Sequence, residues 1–287
     1  MKERVCVVIV TYGNRFKYLK KVVEALLSQG VCKIIVVDNG SEPESKKALE
    51  EYAQLKEKVT VLWLPENRGS AGGFKVGMEV AYKDADCEFI WLLDDDNMPL
   101  EGALEELVNV WNNIDHDNRL VALCSFRPEQ HRLDRIIQIA KTINKRSENV
   151  FYYLPMEKNY FYYFHIKKVF EKLFKTVHTL FNFSESQQLE GDFDIDLESV
   201  RLALRNKLLK MDFAPYGGLF FKKEIIDVVG FPIEEFYLYA DDTEWTYRIT
   251  RNNGSIFLCI NSQIKDLEGN FKKSVLNSSL MGSFNQQ

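Results

Sequence analysis

The stretch Glu88-Phe89-Ile90-Trp91-Leu92-Leu93-Asp94-Asp95-Asp96 joins an apolar run to three consecutive carboxylates, and its reading decides the fold. A short apolar run bounded by polar residues suits a strand buried on both faces, as in a parallel sheet. The aspartates then fall at its carboxyl end. Adjacent like charges repel unless solvent or a cation relieves them, and an all-oxygen cluster suits hard divalent ions such as Mg2+ or Mn2+. Alternate residues of an extended chain point the same way, so Asp94 and Asp96 are the expected metal pair and Asp95 faces away. A solvated acidic turn before a helix fits the same letters, and Asn97 and Pro99 suit it.

Working outward, three earlier segments repeat the pattern of strand, loop and helix. Val5 to Val10 leads through Thr11-Tyr12-Gly13-Asn14 into apolar residues at helical spacing that stop at Gly30. Lys33 to Val37 ends at Asp38-Asn39-Gly40-Ser41, before a polar helix through about Leu55. Val59 to Leu64 is followed by a loop from Pro65 to Gly73 and a helix over about Phe74 to Lys83. After the aspartates, Leu100, Leu104, Leu107, Val108 and Trp111 mark a fourth helix. Strands alternating with helices imply a Rossmann-like, mostly parallel sheet flanked by helices. Ligands bind such sheets beyond the carboxyl ends of the strands, so loops spread over about 85 residues of chain are expected to converge there.

The 46% apolar and 28% charged composition is that of an ordinary folded chain, and a net charge of -5 gives no reason to expect nucleic acid. The five cysteines are scattered without C-x-x-C spacing and read as small buried hydrophobes in a reducing compartment. The four histidines are equally scattered, which gives zinc little support. No secretory pattern opens the chain, and no stretch approaches about 18 consecutive apolar residues. A cytoplasmic location is expected, at the inner face of the cell membrane if the middle of the chain docks there.

That middle, 128–212, reads as a helical insertion between an α/β half, 1–127, and a final segment, 213–287. Within 151–181 an aromatic block precedes Lys167, Lys168, Lys172 and Lys175 interleaved with apolar residues. Such a basic amphipathic helix suits peripheral membrane contact, or packing on the main domain or on a second subunit of a homo-oligomer. The acidic run 190–196 lacks the glycine and closing glutamate of an EF-hand and reads as a solvated loop. In the final segment, Asp241-Asp242-Thr243-Glu244 opens a short helix. Asp241 fits an N-cap with Glu244 completing a capping box, which leaves Asp242 as a spare carboxylate beside Tyr237, Tyr239 and Trp245. Residues from about 274 read as a weakly structured tail.

Taken in order, Val7 to Tyr12 with Asn14-Arg15, Val36 to Ser41, Asn67-Arg68-Gly69, Asp94-Asp95-Asp96 and Asp241-Asp242-x-Glu244 resemble the successive motifs of family 2 glycosyltransferases. Within that family, Asn67 to Phe74 with Gly77-Met78 is similar to bacterial galactofuranosyltransferases and the related rhamnosyltransferases. The resemblance implies a GT-A fold and an inverting transfer from a nucleotide sugar, UDP- or dTDP-linked, to a glycan or lipid-linked glycan in cell-surface polysaccharide assembly. It assigns Asp94 and Asp96 to a Mn2+ or Mg2+ ion and Asp242 to the base, with Asp241 orienting the acceptor. Thr11, Tyr12, Asp38, Asn67, Arg68, Gly72, Gly73 and Asp95 fall to the nucleotide sugar. Gly217, Gly218, Tyr237 and Trp245 fall to the acceptor. Relatives often carry a metal-binding histidine about two dozen residues past the base; here Asp266 stands about there, as a replacement ligand or a solvated loop residue.

Two other enzyme classes are disfavoured by the first loop. A sugar-phosphate nucleotidyltransferase would carry a glycine-rich, arginine-containing loop there, and a dinucleotide oxidoreductase a G-x-G-x-x-G; Thr11-Tyr12-Gly13-Asn14 is neither. A non-catalytic sugar-binding scaffold has the missing histidine as its one hint.

Overall fold

The computed structural model describes residues 4–114, 120–128, 208–238 and 240–268. Most of the expected helical insertion, with the segments 151–181 and 190–196, lies outside the described residues, as do Tyr239, the four histidines and the tail.

The four strands read from the sequence are β1 (Val5–Gly13), β2 (Lys33–Ser41), β3 (Val59–Trp63) and β4 (Phe89–Asp94). All are parallel, with β2 and β4 flanking β1 and β3 outside β2. Helices α1 (Phe16–Ser28), α2 (Pro43–Gln54) and α3 (Gly69–Lys83) connect them, and α4 (Ala103–Asn113) follows β4. The central runs of β1, β2 and β4 are apolar because both faces are covered. Val5, Val7 and Ile9 share a core with α1 and α4, while Cys6, Val8 and Val10 share the opposite core with α3.

Helix α3 starts at Gly69, five residues before the start read from periodicity. Glycine weakens a helix by about 1 kcal/mol per residue, which is why the pattern suggests a loop as far as Gly73. Packing offsets that loss. A Cβ on Gly73 would come within 2.7 Å of Val10 Cγ1, so the glycines let the helix lie directly on β1.

The remaining strands are β5 (Asn97–Pro99), β6 (Val121–Phe126), β7 (Leu208–Met211), β8 (Leu219–Lys222) and β9 (Ser255–Asp266). Residues 208–211, expected at the end of a helical insertion, thus already form a strand, antiparallel to β9. The sheet runs β3-β2-β1-β4-β8-β6-β9-β5, so its first half is parallel and its second mixed. The helices α5 (Ile225–Val229) and α6 (Asp241–Arg251) complete the described fold.

This order gathers distant residues at one rim. The chain moves outward from β1 to β3, then returns to the other side of β1 as β4, opening a crevice beyond the carboxyl ends of both strands. Antiparallel β8 enters where β4 leaves, which brings Gly217 to the same rim. Strands β6 and β9, each running with β4, leave there too and deliver Arg127 and Asp266. Among the described residues no helix is long and apolar enough to cross a membrane.

Candidate active site

The rim encloses a cleft of about 540 Å3. Tyr12 and Arg15 line it from the end of β1, Asn39 from β2, Gly69 and Ser70 from the start of α3, and Asp94 to Asp96 from β4. Arg127, Tyr216, Gly217 and Tyr237 continue the wall to Asp241 and Asp242 at the start of α6. The two acidic groups, about 145 residues apart in sequence, therefore face one space.

Each aspartate of the triplet has a different environment. Asp95 is 2% exposed and both its oxygens are engaged: Thr11 Oγ1 donates to Oδ2 at 2.7 Å, and Arg15 Nε donates to Oδ1 at 2.7 Å and Oδ2 at 2.9 Å. Burial pushes its pKa up to about 7 although Arg15 and Thr11 pull it back. Asp96 pairs with Arg15 Nη2 at 3.1 Å, and burial raises its pKa as well. Asp94 lies at the cleft floor with 43% of its side chain still reaching solvent. Desolvation by the surrounding wall pushes it up to about 6, with the charges of Asp96 and Asp266 adding and Arg127 opposing.

By donor chemistry Asp94 and Asp96 fit a hard divalent cation, which would offset the burial and, secondarily, the neighbouring carboxylates that raise both pKa values. Among the described residues no group of three His, Cys, Asp or Glu side chains is arranged to hold a metal. Asp266 does not join the pair as a third ligand. Its Oδ1 accepts from Arg127 Nε at 3.1 Å, Arg127 Nη2 at 2.7 Å and Asn97 Nδ2 at 2.9 Å, so it serves as the counter-charge of Arg127.

Across the cleft, α6 begins at Asp241 after Ala240, whose backbone is left-handed at φ 61°. The expected capping box is not formed: Glu244 pairs with Arg248 instead, and Asp241 turns inward. Asp241 is 3% exposed and lines the cleft beside Ser70, while its Oδ2 has no hydrogen-bond partner. Burial raises its pKa. Asp242 is pushed up to about 7, first by burial and then by the charge of Asp241, with the Thr243 N–H at 2.6 Å opposing and Asp94 adding from across the cleft.

Of the residues read from the sequence, Tyr12, Asn67, Gly217 and Tyr237 are also on the cleft wall. Several others are not. Thr11 is buried behind its bond to Asp95, and buried Asp38 accepts the Ser41 N–H at 2.7 Å. Arg68 is tied to Glu234. Gly72 faces Arg68 and Gly73 faces Val10 of β1, and neither is on the cleft wall. The Gly218 N–H donates to Leu92 O at 2.8 Å, which threads that residue between strands. Trp245 cannot stack on a sugar: it is fully buried, 5.3 Å from Phe221 ring to ring, and its Nε1 donates to Gly230 O at 2.9 Å.

The residues missed are mostly those that hold others. Asn39 accepts the Arg68 N–H and donates to Gly69 O, fixing the loop before α3. Glu268 pairs with Arg15 at the rim. Arg127 directly follows the mostly apolar run Val121 to Phe126, as the aspartates close β4, and the same rule applied to that run would have found it.

A parallel-then-mixed sheet with carboxylates on both sides of its switch-point cleft is the architecture of GT-A glycosyltransferases. Solved structures sharing it include GalNAc-T7 with UDP, GalNAc and Mn2+ (TM-score 0.59, 12% identity, 92% of this chain and 43% of that one). The mannosyltransferase PcManGT of Pyrobaculum calidifontis with GDP-Man and Mn2+ is another (TM-score 0.55, 14% identity, 93% and 57%). The chain belongs to glycosyl transferase family 2, whose profile matches residues 6–177. It is 35% identical over 101 residues to the galactofuranosyltransferase GlfT1 of Mycolicibacterium smegmatis, covering 34% of this chain and 32% of that protein. An uncharacterized glycosyltransferase of Methanocaldococcus jannaschii is 25% identical over 151 residues, 47% of this chain and 50% of its own. The chain thus spans half or less of these two relatives.

Proposed function

We propose that the protein transfers a glycosyl group, galactofuranose in the first instance, from a nucleoside diphosphate to a glycan hydroxyl with inversion of the anomeric centre. The observation that carries this reading is the shared cleft: Asp94 and Asp96 face Asp242 across a space large enough for a sugar diphosphate. Asp242 takes the proton of the acceptor hydroxyl while that oxygen bonds to the anomeric carbon. The bond from the same carbon to the diphosphate breaks, and its electron pair leaves on the diphosphate oxygen. Attack from the far side inverts the centre through an oxocarbenium-like state. Asp241, beside Ser70, orients the acceptor. Asp94 and Asp96 would hold a divalent cation, which when bound neutralises charge on the diphosphate. Arg15 fixes Asp96 and, behind it, Asp95.

The local identity to a galactofuranosyltransferase supports galactofuranose, and the UDP in the similarly folded GalNAc-T7 structure supports a UDP-linked donor. Release of nucleoside diphosphate from UDP-galactofuranose with Mn2+ tests the reading, with dTDP-rhamnose as the comparison donor. Turnover by the wild type that disappears in Asp94→Ala supports it; equal traces in both proteins count against it.

A further inference from the structure

Four of the five cysteines are buried, as small core hydrophobes are, but Cys32 is partly exposed. It sits one residue before β2, at the end of the sheet opposite the cleft. Cys6 in β1 and Cys87 just before β4 share with it the core on the α3 face, so three thiols gather where three neighbouring strands begin. Glycosyl transfer uses none of them.

The backbone sets two of these thiols side by side. Cys6 is in register with Lys33, and the Cys32 N–H donates to Val5 O at 3.0 Å, which holds Cys32 diagonally across from Cys6. Strands about 4.8 Å apart with a rise of about 3.3 Å per residue give a diagonal of about 6 Å, within the usual α-carbon separation across a disulfide. The two sulfurs are 3.6 Å apart. A bond of about 2.05 Å needs them to close by about 1.5 Å, a distance that side-chain rotation supplies.

The pair is unequal. Cys6 is 0% exposed, so an oxidant in solution meets Cys32 first. Their mutual contact lowers the pKa of Cys32 from its ordinary value and raises that of Cys6, so Cys32 supplies the thiolate.

We propose that Cys6 and Cys32 form a peroxide-responsive pair, in which Cys32 is the attacking thiol and Cys6 the buried resolving thiol that closes a disulfide between β1 and the start of β2. The Cys32 thiolate attacks one oxygen of the peroxide and breaks the O–O bond, which leaves Cys32 as a sulfenic acid; the departing hydroxide takes a proton from solvent and becomes water. The Cys6 sulfur then bonds to the Cys32 sulfur and displaces its hydroxyl, which leaves with the Cys6 proton as a second water. Two electrons pass from the thiols to the peroxide.

Treatment of the full chain with hydrogen peroxide, then N-ethylmaleimide in denaturant and intact-mass spectrometry, tests this. The untreated chain takes five labels, one for each cysteine. The treated chain should lose two of the five, yield a peptide joining Cys6 to Cys32 in a non-reducing digest, and recover all five after dithiothreitol. Cys87→Ala should lose the same two labels. Cys6→Ala should strand Cys32 as a sulfenic acid that dimedone traps. If that variant does not fold, Cys32→Ser serves instead: it lacks the thiol that peroxide reaches, so labelling of its remaining cysteines should be the same before and after treatment. Five labels on the treated wild type, a link from either thiol to Cys87, or a loss of label in Cys32→Ser overturns the inference.

Discussion

Replacing Asp242 by Asn should remove activity and stabilise the protein, because the same desolvation acts on both. Its pKa, about 7 in the fold against an ordinary 3.8, means that the folded chain holds a proton that the unfolded chain has released. Folded stability therefore falls as pH rises from about 4 to about 7 and carries the full penalty above that. At about 1.4 kcal/mol per pKa unit, this displacement sets a ceiling of about 4 kcal/mol, which water in the cleft reduces. Asn carries no such penalty. Urea melts of both proteins should thus coincide near pH 4 and separate by about 1–3 kcal/mol in favour of the variant at pH 8. Transfer rates test the other half. The wild-type kcat/KM should climb through an apparent pKa near 7, as a base must lose its proton to work, and the variant should be slower by about 100- to 10,000-fold. A variant no more stable at pH 8 than at pH 4 relative to wild type, or one that keeps its rate, refutes the reasoning.

Three further outcomes follow from the geometry. Trp245→Ala should cost about 3–5 kcal/mol in urea denaturation, since it empties a fully buried site; a loss under about 1 kcal/mol would mean that the ring is not packed as described. Arg15→Met should cost a similar amount at pH 8 by leaving Asp95 buried without its counter-charge, about 3–5 kcal/mol. The loss should shrink towards pH 5, where Asp95 takes up a proton, and a pH-independent loss would contradict that cause. Gly217→Ala should leave a folded protein destabilised by about 1–3 kcal/mol in urea denaturation, because a Cβ there would lie 2.2 Å from Asn97 Oδ1 and 2.7 Å from Asp94 Oδ2; an unchanged midpoint would contradict that crowding.

Much of the fold was legible because its strands are short apolar runs that end in loop residues. β4 and its aspartates, and the strands β1 to β3, come from local pattern alone. Where local and tertiary preferences disagree, the pattern misleads. Glycines at 69, 72 and 73 look like a loop because isolated helices avoid them, and only tertiary contact explains them: Gly73 lies against Val10 of β1 and Gly69 against the backbone of Tyr237. Trp245 looks like a stacking platform by its position next to the acidic pair, yet the helix turns it into the core while Asp241 and Asp242 face the cleft. Asp266 stands where a metal ligand is expected, but sequence carries no sign of the arginine 139 residues away that takes its oxygen.

The amino-acid order by itself determined the alternating architecture, the carboxylates at a strand end and a helix start, and the family to which the chain belongs. Those properties reside in local periodicity and in short motifs, which need no partner from elsewhere in the chain. The tertiary structure alone decided which of the aspartates face the cleft, which are held by Arg15 or Arg127, and how far burial lifts their pKa values. Desolvation and charge pairing depend on distances between residues far apart in sequence, and those distances exist only once the sheet has brought its strand ends to one rim.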